Sequence, residues 1–233
     1  MRQRALLSWS SGKDSAWALH ILRQMPEIEI VGLVTTINQV ADRVAMHAVR
    51  SQLLRAQAEA VALPLHEIPI PWPCSNAEYE AAMAVAIARA QADGVTAMAF
   101  GDLFLEDIRS YRLQKLSGTG IEPLFPIWGI PTDQLARDML AGGLRARLTC
   151  VDPKQLAPSF AGREFDAALL AELPPSVDPC GERGEFHTFA YDGPAFRQPI
   201  AVQSGEIVER DGFVFADLLP APALAPSAQR SLP

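Results

Sequence analysis

The chain has 233 residues, of which 49% are hydrophobic and 20% charged, and its formal net charge is −7. These values predict a globular protein with one large domain, or with a main domain and a smaller partner. The acidic balance argues against a nucleic-acid or anionic-membrane binder, and three scattered cysteines argue against a disulfide framework. With no signal peptide and no apolar run of about 18 residues, the sequence predicts a cytoplasmic location.

The first motif predicts an anion site near the start of the chain. Residues 5–7 predict a first strand and residues 16–25 a helix with one apolar face. Small and polar residues lie between them, namely Ser10, Ser11, Gly12, Lys13, Asp14 and Ser15. The first N–H groups of a helix have no intrahelical partner and favour negative charge, so this segment can hold a phosphate. Lys13 adds a positive charge and Ser15 a hydroxyl group.

The Walker P-loop does not fit this segment, because it needs glycine at position 7 and serine or threonine at position 14. The chain has Leu7 and Asp14 there. The order Ser-x-Gly-Lys-Asp-Ser resembles instead the PP-loop of the N-type ATP pyrophosphatases. In that superfamily the loop holds the pyrophosphate part of ATP, and cleavage gives AMP and pyrophosphate. The alternative is an ordinary helix N-terminus rich in capping residues.

Strand and helix signals then alternate up to about residue 130. Strands are predicted at 29–36, 63–70, 95–100 and 124–127, and helices at 49–61, 75–93 and 105–116. A capping box, Ser75 with Glu78, starts the second of these helices. The alternation predicts an α/β fold, with a parallel sheet covered by helices on both faces, over residues 1–130.

The pattern changes after residue 130. It predicts a helix at 132–141, a strand at 144–151, a helix at 165–173, and short strands at 200–203, 207–210 and 213–218. The pairs Ser204-Gly205 and Asp211-Gly212 are typical of turns, which predicts an antiparallel meander. We therefore expect a smaller α+β domain at 131–220 and a disordered tail at 221–233.

Polar residues after the strand predicted at 95–100 form a second candidate part of the site. Gly101 and Asp102 lie at the end of a buried strand, where α/β proteins hold ligands, although Asp102 could also be a helix cap. Asp102 could orient a metal-bound phosphate or a substrate amine. We expect at least one charged residue of the next helix to reach the site; the alternative is a solvated face. These residues are Glu106, Asp107, Arg109 and Arg112.

The run 181–188 is a third candidate, since two glycines, two carboxylates, an arginine and a histidine in eight residues are typical of a cleft. Glu182 and Glu185 could bind a cationic or amide-bearing substrate, hold magnesium or accept a proton. His187 could be a general acid or base, because its ordinary pKa lies near neutrality. Cys180 is interpreted as a small buried thiol, with a nucleophile near His187 as the alternative.

A fourth candidate follows the second predicted strand. The polar segment 38–43 could form a wall of the site. Arg43, His47 and Arg50 could meet phosphate or a substrate carboxylate, or could simply start a helix on the surface.

Together these motifs resemble the diphthine–ammonia ligase family, also described as the ATP-binding domain of unknown-function type 71. They occur in the order PP-loop at 10–15, Gly101-Asp102 with Leu105-Glu106-Asp107, Pro126-x-Trp128-Gly129, and Cys180-Gly181-Glu182-Arg183-Gly184-Glu185-Phe186-His187-Thr188. The resemblance runs from about residue 4 to about residue 217. The family's loop often has glycine where this chain has Ser11, and we expect serine to fit there with a negative φ.

The resemblance implies an adenine nucleotide α-hydrolase-like (HUP) domain and a smaller second domain, with the site between them. It implies an AMP-forming amide ligase that uses ATP, Mg²⁺, ammonia and a carboxylate-bearing acceptor of unknown identity, either a small molecule or a modified protein. The implied catalytic residues are Lys13, Asp14, Asp102, Glu182, Glu185 and His187. ATP contacts would come from Ser10, Ser11, Gly12, Lys13, Asp14, Ser15 and Gly101. Substrate contacts would come from Arg43, His47, Glu106, Arg109, Gly181, Gly184 and Thr188.

Two other functions stay open at the level of the sequence. A nucleotide-binding sensor without turnover, on a fold like that of the universal stress proteins, explains residues 1–130 but not the run 181–188. ATP retention without AMP release would support it. A PP-loop tRNA-modifying enzyme needs a reactive cysteine and a basic surface, which the net charge of −7 and the lack of paired cysteines disfavour. Full activity of a Cys180→Ser variant would exclude it.

Overall fold

The computed structural model describes residues 2–40, 42–44 and 49–221, which form two β-sheets with helices packed against them. Up to residue 124 the elements are β1 (Gln3–Ser8), α1 (Lys13–Arg23), β2 (Ile28–Asn38), β3 (Arg43–Val44), α2 (Ser51–Val61), β4 (Leu65–Ile70), α3 (Asn76–Ala92), β5 (Ala97–Ala99), α4 (Glu106–Leu116) and β6 (Glu122–Leu124). The later elements are α5 (Thr132–Ala141), β7 (Arg145–Val151), a 3-10 turn (Pro158–Phe160), α6 (Ala167–Glu172), β8 (Phe186–Asp192), β9 (Val202–Arg210) and β10 (Phe213–Pro220).

The N-terminal sheet confirms the predicted α/β class. Its parallel strands lie in the order β4-β2-β1-β5-β6, and the short β3 pairs antiparallel with the end of β2. Strand β1 is central and its apolar side chains are buried, so the loop after it opens at the carboxyl edge of the sheet. The capping box of α3 is present, with Ser75 and Glu78 exchanging hydrogen bonds.

The second sheet is antiparallel, with the order β8-β7-β10-β9. The turn predicted at Asp211-Gly212 is confirmed, and both residues have positive φ, 54° and 81°. The turn predicted at Ser204-Gly205 is wrong, because β9 runs straight through this pair. Gly205 instead lies against Asp217, whose Cβ would be 3.1 Å from a Cβ added at Gly205. The glycine therefore marks a close approach of two strands rather than a turn.

Two further predictions need correction, and one candidate run contains the start of a strand. The strand expected at 124–127 is found earlier in the chain, as β6 at Glu122–Leu124. Pro126 begins a turn, in which Ile127 is fully buried. The helix expected at 165–173 is shorter, because the Asp166 side chain caps it by accepting the Leu169 N–H at 2.8 Å. The run 181–188 is partly a strand, as β8 begins at Phe186.

The two sheets share one hydrophobic core, and buried polar contacts join them at the loop after β1. The Ala190 N–H donates to the Ser11 carbonyl at 2.9 Å. The amide of Gln57, a fully buried residue of α2, donates to the carbonyls of Ser11 and Ala190 at 3.0 and 2.6 Å. The loop is therefore held by both sheets. Within the described ranges, no helix is long and apolar enough to cross a membrane. The tail predicted beyond residue 221 and the candidate His47 lie outside these ranges.

Candidate active site

The loop after β1, the end of β5 and the start of β8 meet around a cavity of about 240 Å³. Three motifs that are far apart in the sequence therefore share one space. The wall consists mostly of small and polar residues, namely Ser8, Ser10, Lys13, Asp14, Ser15, Gly101, Asp102, Arg112, Cys180, Gly181, Glu182, Gly184, Phe186, His187 and Thr188.

The hydroxyl groups of the loop gather at the start of α1. Gly12 has extended backbone at the N-cap position and gives the helix no side-chain cap. The Oγ atoms of Ser10 and Ser15 are 3.3 Å apart, and Ser15 Oγ donates to the Gly12 carbonyl at 3.0 Å. The result is a helix N-terminus with two hydroxyl groups facing a polar cavity, which is an arrangement suited to a phosphate.

Ser11 does not have the negative φ that we expected, since its φ is 71°. Its carbonyl accepts the Ala190 N–H and the Gln57 amide, and these contacts fix the turn. A serine in this left-handed conformation is strained relative to glycine. Its hydroxyl is buried without a hydrogen-bond partner. Ser11 and Gly12 were both predicted ATP contacts, but neither residue lines the cavity.

Lys13 is a buried cation that the protein already holds in place. Its side chain is only 2% exposed, and Nζ donates to both Asp14 oxygens, at 3.0 and 2.9 Å, and to the Cys180 carbonyl. Burial lowers the pKa of Lys13. The charge of Asp14 and several smaller contributions raise it by more, so the pKa is raised overall. The Lys13 backbone N–H donates to Thr188 Oγ1 at 3.1 Å, which joins α1 to β8.

Glu182 brings an ionisable group to the cavity wall. Its Oε1 accepts the Leu103 N–H at 2.8 Å, and the Leu103 carbonyl accepts the Gly129 N–H at 2.8 Å. The Pro126-x-Trp128-Gly129 motif thus supports the backbone that holds Glu182. Burial raises the pKa of Glu182 to about 7, with Asp14 and Asp102 contributing in the same direction. A carboxyl group with this pKa can both take up and release a proton near neutral pH.

Glu185, which was predicted to be catalytic, is not brought to the cavity. It is 1% exposed, and its two oxygens accept the N–H groups of Asp178, at 2.8 Å, and Arg183, at 2.9 Å. The turn that it holds also needs Gly181 and Gly184, which have φ of 71° and 83°. The contacts of Glu185 are therefore those of a structural residue, whereas Gly181 and Gly184 do line the cavity.

His187 lines the cavity, but the pKa near neutrality from which we predicted a general acid or base needs correction. Burial lowers the pKa of His187 to about 4, and the Lys13 cation adds to the effect. The imidazole is therefore neutral at pH 7. It can accept a hydrogen bond or a proton there, but it does not supply an acidic imidazolium.

The end of β5 forms the opposite wall. A Cβ added at Gly101 would lie 3.0 Å from the Asp14 carbonyl carbon and from the Ser15 nitrogen, so glycine permits close contact with the loop. Burial raises the pKa of Asp102, although Arg112 opposes the shift. Asp102 Oδ2 has no hydrogen-bond partner, and the Arg112 Nε atom lies 3.5 Å from it.

Other predicted substrate contacts lie elsewhere. Glu106 is exposed, and Arg109 stacks over Trp128 at 4.8 Å; neither residue lines the cavity. Arg43 lines a separate cavity of about 210 Å³, where Arg43 Nη1 is 2.9 Å from the Asp217 carboxylate.

Of the four charged residues expected near the site on α4, Arg112 is the one that lines the cavity, one helical turn after Arg109. One further residue important to the site was not selected from the sequence. Asp178 organises the 178–185 turn, since its Oδ1 accepts the N–H groups of Cys180 at 2.9 Å and Glu182 at 3.3 Å. An Asp just before a Pro-Cys-Gly sequence is a signal for such a turn. The Cys180 thiol is an unreactive group, because burial raises its pKa far above the ordinary value.

Two family models and several relatives match most of the chain. Residues 1–118 match the model for the diphthamide synthase N-terminal domain, and residues 131–217 match that for the C-terminal domain. A diphthine–ammonia ligase of Bos taurus is 26% identical over 238 residues, covering 93% of this chain and 88% of that protein. A Homo sapiens protein of the same name is 30% identical over 118 residues, covering 48% and 44% of the two chains. The chain belongs to the diphthamide synthase family, a family of ATP-dependent ligases.

Proposed function

We propose that this protein is an AMP-forming amide ligase that activates a carboxylate with ATP and transfers it to ammonia. The observation that carries the proposal is the shared cavity. It joins Lys13 at a helix N-terminus to Glu182, a carboxyl group with a pKa of about 7. The relatives named diphthine–ammonia ligase support the same reaction and suggest diphthine as one acceptor to test.

In the first half-reaction, an oxygen of the acceptor carboxylate attacks the α-phosphorus of ATP and pyrophosphate leaves. Negative charge then builds up on the leaving pyrophosphate. The first turn of α1 and the Lys13 ammonium are suited to stabilise this charge, because they are already fixed before ATP binds. An acyl adenylate remains in the cavity.

Mg²⁺ fits the oxygen-rich wall of the cavity. Asp102 Oδ2 is buried without a hydrogen-bond partner, apart from its ion pair with Arg112 at 3.5 Å, and Asp102 lines the same cavity as Asp14. Among the described residues there is no cluster of three or more potential ligand side chains, so the ion would be held by one or two carboxylates together with the phosphates. When bound, Mg²⁺ would offset phosphate charge.

In the second half-reaction, ammonia adds to the carbonyl carbon of the adenylate, AMP leaves, and one proton must be removed from nitrogen. We assign this proton to Glu182, since about half of its carboxyl groups are ionised near pH 7. We place the domain boundary near residue 130, between the two family matches. The segment 131–220 would then cover the adenylate and exclude water that hydrolyses it.

The test is ATP turnover with ammonium and candidate carboxylates, including diphthine, each labelled with ¹⁸O in the carboxylate. We expect AMP, pyrophosphate and an amide, with one ¹⁸O atom transferred to AMP. ADP with orthophosphate, or AMP without the label, would rule out the proposed reaction.

Two outcomes of the same assay would support the alternatives. ATP that stays bound without AMP release would favour a sensor. A Cys180→Ser variant should keep full activity, because the thiol is buried and unreactive. Loss of turnover in that variant, with the fold intact, would favour a cysteine-dependent enzyme.

A further inference from the structure

The cavity wall has little positive charge for the nucleotide that it would bind. Its acidic residues are Asp14, Asp102 and Glu182, and its basic residues are Lys13 and Arg112, apart from His187, which is neutral at pH 7. The Lys13 Nζ atom already bonds to Asp14 and to a backbone carbonyl. ATP would add several negative charges. Of the described wall residues, Arg112 is the cation that is not yet committed to strong hydrogen bonds.

Arg112 is held by contact with an aromatic ring and by an ion pair with Asp102. Its guanidinium lies over the Phe100 ring, 4.7 Å from the centroid, and its side chain is 25% exposed. The Nε atom is buried without a hydrogen-bond partner, as is Asp102 Oδ2, and the two atoms are 3.5 Å apart. The ring and Asp102 therefore hold the guanidinium in place, while its Nε donor has no hydrogen-bond partner.

We propose that Arg112 binds the pyrophosphate part of ATP in this cavity, opposite the loop residues Ser10 and Ser15. The inference rests on the proposed function and adds a second phosphate-binding cation to Lys13. A planar guanidinium can donate two parallel hydrogen bonds to phosphate oxygens, which a lysine cannot do. Asp102 acts as a positioning residue that keeps the Arg112 guanidinium at the cavity wall before ATP binds.

Arg109 provides an internal control, because it is on the same helix and also stacks on aromatic rings. Its guanidinium lies 4.8 Å from the Trp128 centroid and 5.5 Å from that of Phe125. It pairs with Glu106 at 3.9 Å and does not line the cavity. The two arginines differ mainly in whether they face the loop. Replacing each in turn separates phosphate binding from a general effect of helix charge.

The experiment compares Arg112→Gln, Arg112→Lys and Arg109→Gln by calorimetric binding of ATP, AMP and inorganic pyrophosphate. For Arg112→Gln we expect ATP and pyrophosphate affinity to fall by at least about tenfold, since charge-assisted hydrogen bonds are lost. AMP affinity should stay within about twofold, because AMP lacks the pyrophosphate group. Arg112→Lys should recover part of the loss, and Arg109→Gln should bind as the unaltered protein does.

If Arg112→Gln lost affinity equally for ATP and AMP, the assignment would be overturned, because equal losses would indicate a distorted cavity. No loss of affinity in this variant would overturn it as well. An equal effect of Arg109→Gln would overturn it as well. The binding measurements test this inference independently of the turnover assay that tests the proposed function. If the unaltered protein makes AMP while Arg112→Gln binds ATP normally, only this inference fails. If the unaltered protein makes ADP, the proposed function fails, and the ATP and AMP affinities still decide the role of Arg112.

Discussion

Replacing Glu182 with glutamine should stabilise the protein above pH 7 and have little effect near pH 4. The pKa of Glu182 is raised from its ordinary value of 4.5 to about 7 in the folded protein, first of all by burial. Below pH 4.5 the carboxyl is protonated in both the folded and unfolded states. As the pH rises from 4.5 to 7, the unfolded state ionises first, so the side chain progressively lowers the stability of the fold. Glutamine cannot ionise and avoids this loss.

The size of the effect follows from the two pKa values. A change from 4.5 to about 7 corresponds to about 3 kcal/mol, at about 1.36 kcal/mol per pKa unit. Because Glu182 is only partly buried, solvent screening reduces this to about 1–2 kcal/mol. Glutamine also keeps an oxygen that can accept the Leu103 N–H. The gain should therefore appear between pH 4.5 and 7 and stay constant above that range.

Urea unfolding at pH 5, 6, 7 and 8 measures the effect, with the exposed Glu59→Gln on α2 as the control. The free energy of unfolding of Glu182→Gln, relative to the unaltered protein, should rise with pH, while that of the control should not. A difference that is the same at every pH would refute the burial argument. In parallel, AMP formation by the unaltered protein should increase through pH 7, and Glu182→Gln should lose about 100-fold in rate at pH 8.

Three other substitutions test the site. Lys13→Ala should abolish pyrophosphate release, while circular dichroism shows that the fold is retained. Lys13→Met should have the same effect without leaving a cavity in the protein. An unchanged rate of pyrophosphate release would remove Lys13 from the mechanism. Ser11→Gly should raise the free energy of unfolding by about 1 kcal/mol, because φ at this position is 71°, and a loss of stability would contradict the strain. Glu185→Gln should lower it by about 1–3 kcal/mol, since an amide N–H would face a backbone N–H; unfolding at the same denaturant concentration as the unaltered protein would disprove that role.

The parallel sheet was predictable because each of its strands and helices has a local pattern of apolar residues. The second sheet was only partly predictable. Asp211-Gly212 and Ser204-Gly205 have the same turn-like composition, yet only the first is a turn. What distinguishes them is the contact of Gly205 with Asp217 on the neighbouring strand. A contact between strands has no signal within the glycine's own segment.

The part of the site in the loop that carries Lys13 was predictable, because the residues with the relevant chemistry are adjacent in the sequence. The site was not predictable where two similar residues lie three positions apart. Arg109 and Arg112 share a helix, yet Arg112 lies over Phe100 and lines the cavity, whereas Arg109 lies over Trp128 and does not. Glu182 and Glu185 share a turn, and the positive φ of Gly184 lets one carboxylate face the cavity while the other holds the backbone.

The contacts that support the phosphate loop also set the order in which the site can form during synthesis. The Lys13 N–H is paired with Thr188, 175 positions later in the chain, and the Ser11 carbonyl is paired with the N–H of Ala190. A nascent chain that ends before these residues has the loop sequence but lacks the strand that holds it. ATP should therefore bind tightly only after the chain has been synthesised past residue 190, because shorter nascent chains have the loop without the contacts that hold it.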